Sequence, residues 1–231
     1  MTRAPNSLEA RDIESVLHPA TNFKRLNELG PLVFDRAKGV FVYDMQGRDY
    51  IEGMAGLWCT ALGYGVEEIA DAARKQMLSF SYSHLFSAKS HEPAIELAEK
   101  LKAMAPVKMG KVFFGCSGSD ANDTQMKLLR YYNNAIGRPK KKKIISRKRG
   151  YHGVTLASAS LTGLPAQHAL FDLPLDGVIH VSAPYYYRNA EPGETEAQYA
   201  ARLADELEKT ILAEGPETVA AFIAEPLMGV G

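Results

Sequence analysis

Ser117, Gly118 and Ser119 stand between a short apolar stretch, residues 111–114, and a helically patterned stretch, residues 120–135. The first N–H groups of a helix lack internal partners, and the dipole makes that end positive. Gly118 admits close backbone approach, and the two hydroxyls add donors. Together these make a phosphate cradle. The same serines also suit an ordinary N-cap. Asp120 in the first turn fits either reading, although its charge opposes a phosphate. Two catalytic motifs fail here. A nucleophile elbow needs G-x-S-x-G, and Gly115-Cys116-Ser117-Gly118-Ser119 lacks the last glycine, which counts against Ser117 as a hydrolase nucleophile. The P-loop string is absent from the chain, as is a complete G-x-G-x-x-G.

A second cluster is Arg149-Gly150-Tyr151-His152-Gly153, directly after the apolar Ile144-Ile145. A turn at the carboxyl end of a strand is where open α/β sheets bind ligands. Tyr151 there either stacks on a flat ligand or caps the core. Glu225 follows the apolar segment 219–224. Its carboxylate either hydrogen-bonds a ligand or pairs with a nearby Lys or Arg. The basic run of Arg138, Lys140–Lys143 and Arg147–Arg149 has no interleaved aromatic before Tyr151. It reads as a solvated connector and not as a nucleic-acid patch. The histidines His18, His84, His91, His152, His168 and His180 show no metal-ligand spacing, so no metal is expected.

The elements that must position these residues are legible from period and punctuation. Residues 39–43 and 48–51 flank Asp44-Met45-Gln46-Gly47, a β-hairpin with Gly in the turn. Residues 53–65 hold four glycines around Trp58 and read as loop with backbone passing close to something. Residues 66–78 and 92–104 carry helical patterning, and the first forty residues read as irregular apart from a short helix at 8–17. Strands are expected at 111–114, 144–145, 178–181 and 219–224, with helices at 120–135 and 194–213 between them. Continuous apolar strands alternating with helices predict an α/β fold with a mainly parallel sheet and helices on both faces.

Composition narrows the class. In 231 residues, 27 basic and 27 acidic side chains cancel, and 46% of residues are apolar. That excludes a disordered tail and a surface built wholly for nucleic acid. Cys59 and Cys116 form no C-x-x-C pair and do not suit a disulfide scaffold. Residues 1–12 show no secretory core, and no stretch reaches the ~20 apolar residues of a spanning helix. A cytoplasmic protein without membrane or nucleic-acid partners is expected.

Five segments, in order, resemble one family. They are Asp44-Met-Gln-Gly-Arg-Asp-Tyr-Ile-Glu52, Gly53-Met-Ala-Gly-Leu-Trp58 with Leu62-Gly-Tyr64, Phe114-Gly-Cys-Ser-Gly-Ser-Asp-Ala121, Tyr151-His-Gly153, and Ala224-Glu-Pro226 with Gly229-Val-Gly231. They are similar to the class III aminotransferases, fold-type I enzymes of pyridoxal 5'-phosphate, and to the ω-transaminases within them. Many members have Glu where this chain has Asp120. The resemblance implies that Ser117, Gly118 and Ser119 hold the cofactor phosphate. Tyr151 would stack on the ring with His152 beside it, and Glu225 would position it. Phe23, Trp58, Phe86 and Tyr151 would line the substrate pocket. It further implies amino transfer from an amine or ω-amino acid to a keto acid such as pyruvate, in a homodimer or higher homo-oligomer. A decarboxylase or racemase on the same cofactor, or a non-catalytic phosphate- or nucleic-acid-binding module, are the alternatives. Residues 1–60 would belong to a small domain and 61–231 to the first part of a large cofactor domain. The Schiff-base lysine and the aspartate for the pyridine nitrogen are expected after Gly231. This stretch by itself would then be an inactive N-terminal half with no catalytic residue of its own.

Overall fold

The structure, a computed structural model, describes residues 4–231. It divides into two compact units, Met1–Glu99 and Lys100–Gly231.

In the first unit, α1 (Leu8–Ser15) is capped by Ser7 and α2 (Phe23–Leu29) by Asn22, each side chain accepting a first-turn N–H. Strands β1 (Phe34–Lys38), β2 (Phe41–Asp44) and β3 (Asp49–Ile51) form an antiparallel meander in that order. The expected hairpin is β2–β3. Strand β1 and helix α2 were not legible in the sequence. Four of the five β1 residues are exposed, so this strand carries no buried apolar pattern. Asp44 organises the hairpin turn. Its Oδ1 accepts the N–H groups of Gln46 (3.0 Å) and Arg48 (2.9 Å), and its Oδ2 accepts Arg48 Nε (2.6 Å) and the Tyr50 hydroxyl (2.9 Å). Burial pushes this carboxyl up, but those bonds more than offset it and hold it below the ordinary value. Gly47, at φ +78°, supplies the left-handed position that the turn needs. Helix α3 (Glu67–Phe80) follows in the same unit, and α4 (Glu92–Met104) runs past its last residue, Glu99.

In the second unit, α5 (Gly118–Ala135) leads to β4 (Lys143–Arg147), α6 (Leu156–Leu161), β5 (Val178–Val181), α7 (Glu196–Glu214) and β6 (Val219–Phe222). The sheet order is β5-β4-β6, and both pairings are parallel. The chain steps from β4 to one neighbour and then crosses back to the other. Right-handed crossovers therefore put α6 and α7 on opposite faces. The core bears this out. Ile144 packs with Met126 and Leu161, from α5 and α6. Ile145, next along the strand, packs with Val181 and Val219 and against Leu207 and Ile211 of α7. Burying Ile145 completely stabilises the fold by about 1.5–3 kcal/mol.

The strand expected at 111–114 does not form. A strand needs an edge to pair with, and no strand among the described residues pairs with this segment. The first part of the basic run, Arg138 to Lys143, leads into the amino end of β4, where Lys143 Nζ pairs with Glu214 (2.8 Å) and Lys141 Nζ donates to the Pro216 carbonyl (3.2 Å), whereas Arg147–Arg149 lie at its carboxyl end. That is how a connector is tied down.

Candidate active site

Strand β4 is the switch point of the sheet, since its neighbours on either side are reached by opposite crossovers. Ligands of open α/β sheets bind at the carboxyl ends of such strands. Residues 149–153 leave β4 at that end. The loop is pinned by reciprocal backbone bonds, Arg149 N to the Gly163 carbonyl (2.7 Å) and Gly163 N to the Gly150 carbonyl (2.8 Å). Gly163 has to be glycine, because a Cβ there would lie 2.7 Å from Lys148 Cα.

The loop is then fastened on two further sides. From β6, Glu225 Oε1 accepts the Tyr151 N–H at 2.7 Å, and Oε2 accepts the Gly229 N–H at 3.2 Å. No Lys or Arg among the described residues engages the Glu225 carboxylate here: backbone amides do. Arg147 Nη1 meets the Glu225 carbonyl oxygen (3.4 Å), not its carboxylate. From α5, Ser119 Oγ accepts the Val154 N–H (3.0 Å) and Asn122 Nδ2 donates to the His152 carbonyl (2.6 Å). Asp123 Oδ1 accepts the Thr155 hydroxyl (2.7 Å) and the Ser158 N–H (3.0 Å), capping α6 from outside. Sequence reasoning missed Asn122 and Asp123. They follow the serine turn at helical spacing, but nothing local says which loop they meet.

Ser117 is the N-cap of α5, its Oγ accepting the Asp120 N–H at 3.1 Å. The Asp120 carboxylate turns back to accept the Cys116 N–H at 3.0 Å. Its charge is therefore engaged behind the cap, and the conflict with an anion anticipated from the sequence is eased. The N–H groups of Gly118 and Ser119 head an 18-residue helix and have no acceptor among the described residues. A Cβ on Gly118 would meet nothing within 4 Å. Ser119 Oγ is an acceptor toward Val154, which leaves its own O–H proton to donate elsewhere. Open donors at a helix head fit a phosphate.

His152 is 8% exposed, its N–H donates to Thr162 Oγ1 (2.8 Å), and its Nε2 is buried without a partner. Burial holds this imidazole below its ordinary value, the Glu225 carboxylate opposes the shift, and His180 adds to it. His152 thus brings an unused buried polar atom, Nε2, beside Glu225. Ser117 Oγ is engaged as an acceptor of the Asp120 N–H, and no histidine is hydrogen-bonded to it among the described residues. No group of His, Cys, Asp and Glu among them could hold a metal ion. Nor is any helix among the described residues long and apolar enough to cross a membrane.

The structure therefore brings Ser117, Gly118, Ser119, Tyr151, His152 and Glu225 to one end of one sheet. The other expected pocket residues lie in the first unit. Phe23 opens α2, Trp58 stands in the glycine-rich loop at 61% exposure, and the Phe86 ring lies 5.8 Å from that of His84.

The family model for class III aminotransferases matches residues 24–231. The chain belongs to the class III aminotransferases. Among curated relatives, the mitochondrial gamma aminobutyrate transaminase 1 of Solanum lycopersicum is 53% identical over 217 residues, covering 94% of this chain and 42% of that protein. The diaminobutyrate–2-oxoglutarate transaminase of Halomonas elongata is 48% identical, covering 96% of this chain and 48% of the relative. The omega transaminase of Pseudomonas jessenii, solved in complex with PMP, superposes with a TM-score of 0.95 at 59% identity, covering 96% of this chain and 49% of that one. This aminotransferase chain thus spans about half the length of the relatives it matches. Its parallel sheet with helices on both faces is the corresponding part of the fold-type I architecture.

Proposed function

We propose that this chain is the cofactor-cradling part of a pyridoxal-phosphate aminotransferase. In the whole protein it would move an amino group from an amine or ω-amino acid to a keto acid such as pyruvate. The observation that carries the reading is the Ser119–Val154 hydrogen bond. It joins the open helix head to the Tyr151-His152 loop, so one rigid unit offers donors for a phosphate beside an aromatic ring for a flat heterocycle. The cofactor, when bound, supplies the electron sink that makes amino transfer possible.

The chain's own residues do the holding. The N–H groups of Gly118 and Ser119 and the Ser119 hydroxyl bind phosphate oxygens. Tyr151 would stack on the ring of the bound cofactor. Glu225 holds Tyr151 through its N–H. His152, whose imidazole burial holds below its ordinary value, would stand beside the ring. In the first unit, Trp58 and Phe86 supply apolar surface for the donor. This reading draws support from engineered Pseudomonas jessenii transaminases for enantiopure bulky amines, whose changes include tryptophan 58 and phenylalanine 86. This chain carries Trp58 and Phe86 at the same numbers. A cytoplasmic homodimer is proposed for the whole protein.

Amine donor added to the cofactor-loaded whole protein should bleach the cofactor's absorption band, and keto acid should restore it. A band that amine leaves unchanged would sink the proposal. Release of carbon dioxide or racemised amino acid, with no amino group in the keto acid, would point to the decarboxylase or racemase alternative.

A further inference from the structure

Residues 52–64 form a loop whose two ends close on one another. The Glu52 N–H donates to the Val40 carbonyl (2.9 Å), and Tyr64 exchanges both backbone bonds with Gly39 (2.9 and 2.8 Å). A Cβ on Gly63 would lie 2.8 Å from the Gly39 oxygen, so this end of the loop is pressed onto the meander. Closed ends and a self-packed interior make this an Ω-loop.

The middle of the loop runs through left-handed backbone for four consecutive residues. The φ values are +48° at Ala55, +60° at Gly56, +58° at Leu57 and +68° at Trp58. For Ala, Leu and Trp this is a disfavoured conformation that persists only where the surroundings over-determine it. What over-determines it here is one side chain. The Glu52 carboxylate accepts the Met54 N–H (3.2 Å) through Oε1. Through Oε2 it accepts the Gly56 N–H and the Tyr64 hydroxyl (3.5 Å). Backbone bonds from Trp58 N to the Met54 carbonyl and from Thr60 N to the Ala55 carbonyl, both 2.9 Å, then fix the tip. Gly56 sits tightly, since a Cβ would lie 3.1 Å from the Thr60 side chain and from the Tyr64 hydroxyl, and these would have to give.

We propose that Glu52 is the positioning residue for Trp58. Its carboxylate holds the left-handed turn and so fixes the direction in which the indole is presented. Through that turn it sets how much bulk the amine donor can carry; this last consequence rests on the aminotransferase reading above, whereas the positioning does not.

Trp58 is the chain's single tryptophan, so its fluorescence reports the turn wherever no other tryptophan contributes. In the cofactor-free protein, Glu52→Ala should lower the indole's anisotropy and raise its acrylamide quenching at least twofold. Glu52→Gln, which keeps one acceptor oxygen, should fall between that and the parent. Tyr64→Phe, which removes only the longest of the three bonds, should change little. Far-UV circular dichroism identifies a variant that has lost its fold, and in that event Glu52→Gln decides. Unchanged anisotropy and quenching in a folded Glu52→Ala or Glu52→Gln protein would overturn the positioning role. In the loaded whole protein, Glu52→Ala should shift the KM ratio of a bulky to a small amine several-fold while kcat for the small one changes less. Altered fluorescence with no such shift would leave the positioning standing and refute the consequence for donor size.

Discussion

Glu225 reaches across 74 positions of sequence to accept the Tyr151 N–H at 2.7 Å. This one bond ties the end of β6 to the loop leaving β4. A hydrogen bond to a charged acceptor contributes about 1.5–3 kcal/mol. Glu225→Ala should therefore weaken cofactor binding by roughly ten-fold or more, with a smaller effect for Glu225→Gln. Titration of cofactor absorbance against protein concentration checks this, and equal affinities in all three proteins would show that the bond does not position Tyr151.

Gly153 and Gly118 make opposite predictions. Gly153 has φ +132°, and a Cβ there would lie 2.5 Å from Ser119 Oγ. Gly153→Ala should destabilise by about 2 kcal/mol or more and disturb the cradle through Ser119. At Gly118 the added methyl meets nothing, so Gly118→Ala should stay within about 1 kcal/mol of the parent stability. Yet it should weaken phosphate binding, because the methyl enters the space the anion needs. Denaturant melts paired with cofactor titration separate the two effects.

Asp123 caps α6 from another helix, through the Thr155 hydroxyl and the Ser158 N–H. Asp123→Ala should cost about 1–2 kcal/mol, the usual loss for a helix cap. Amide exchange confined to residues 153–161 should rise with it. Exchange that rises evenly through the sheet would argue against a local clamp.

Burial holds both His152 and His180 below the ordinary value of 6.5, and His168 adds to the shift at His180. Below pH 6.5 the unfolded chain takes up protons at these positions that the folded chain accepts only at lower pH. Stability should therefore fall as pH drops through that window. Asp44 contributes in a separate, more acid range. Its folded carboxyl lies below 3.8, so its contribution is present above that value and is lost as pH falls through the folded one. Comparing Tm at neutral pH and near pH 5.5 tests the histidines. A His180→Asn protein should show a flatter slope, and an equally steep one would assign the effect elsewhere.

Leu57 pays for its left-handed backbone without any offsetting buried contact, being 67% exposed. Leu57→Gly should stabilise the protein by up to about 1 kcal/mol, the gain from relieved strain being partly cancelled by the freer unfolded chain. A lower Tm in this variant would show that the turn is not strained at Leu57.

The sequence by itself determined the parallel α/β class and most element positions of the second unit, because continuous apolar strands and periodic helices carry their own signal. It also marked the Ser117–Ser119 turn, Tyr151-His152 and Glu225, since glycines and strand ends bracket them. Only the tertiary structure decided the rest. Residues 111–114 look like a strand but lack an edge to pair with, and pairing is not local information. Phe34–Lys38 looks like nothing and becomes a strand because β2 offers one. Whether Glu225 would meet a cation or a backbone amide depended on where the loop after β4 came to lie. Asn122 and Asp123 gained their roles the same way, since a side chain's partner across 30 or more residues is set by how helices pack on a sheet. The left-handed turn at Ala55–Trp58 breaks the local preferences of three of its residues, and only the surrounding bonds to Glu52 make it visible.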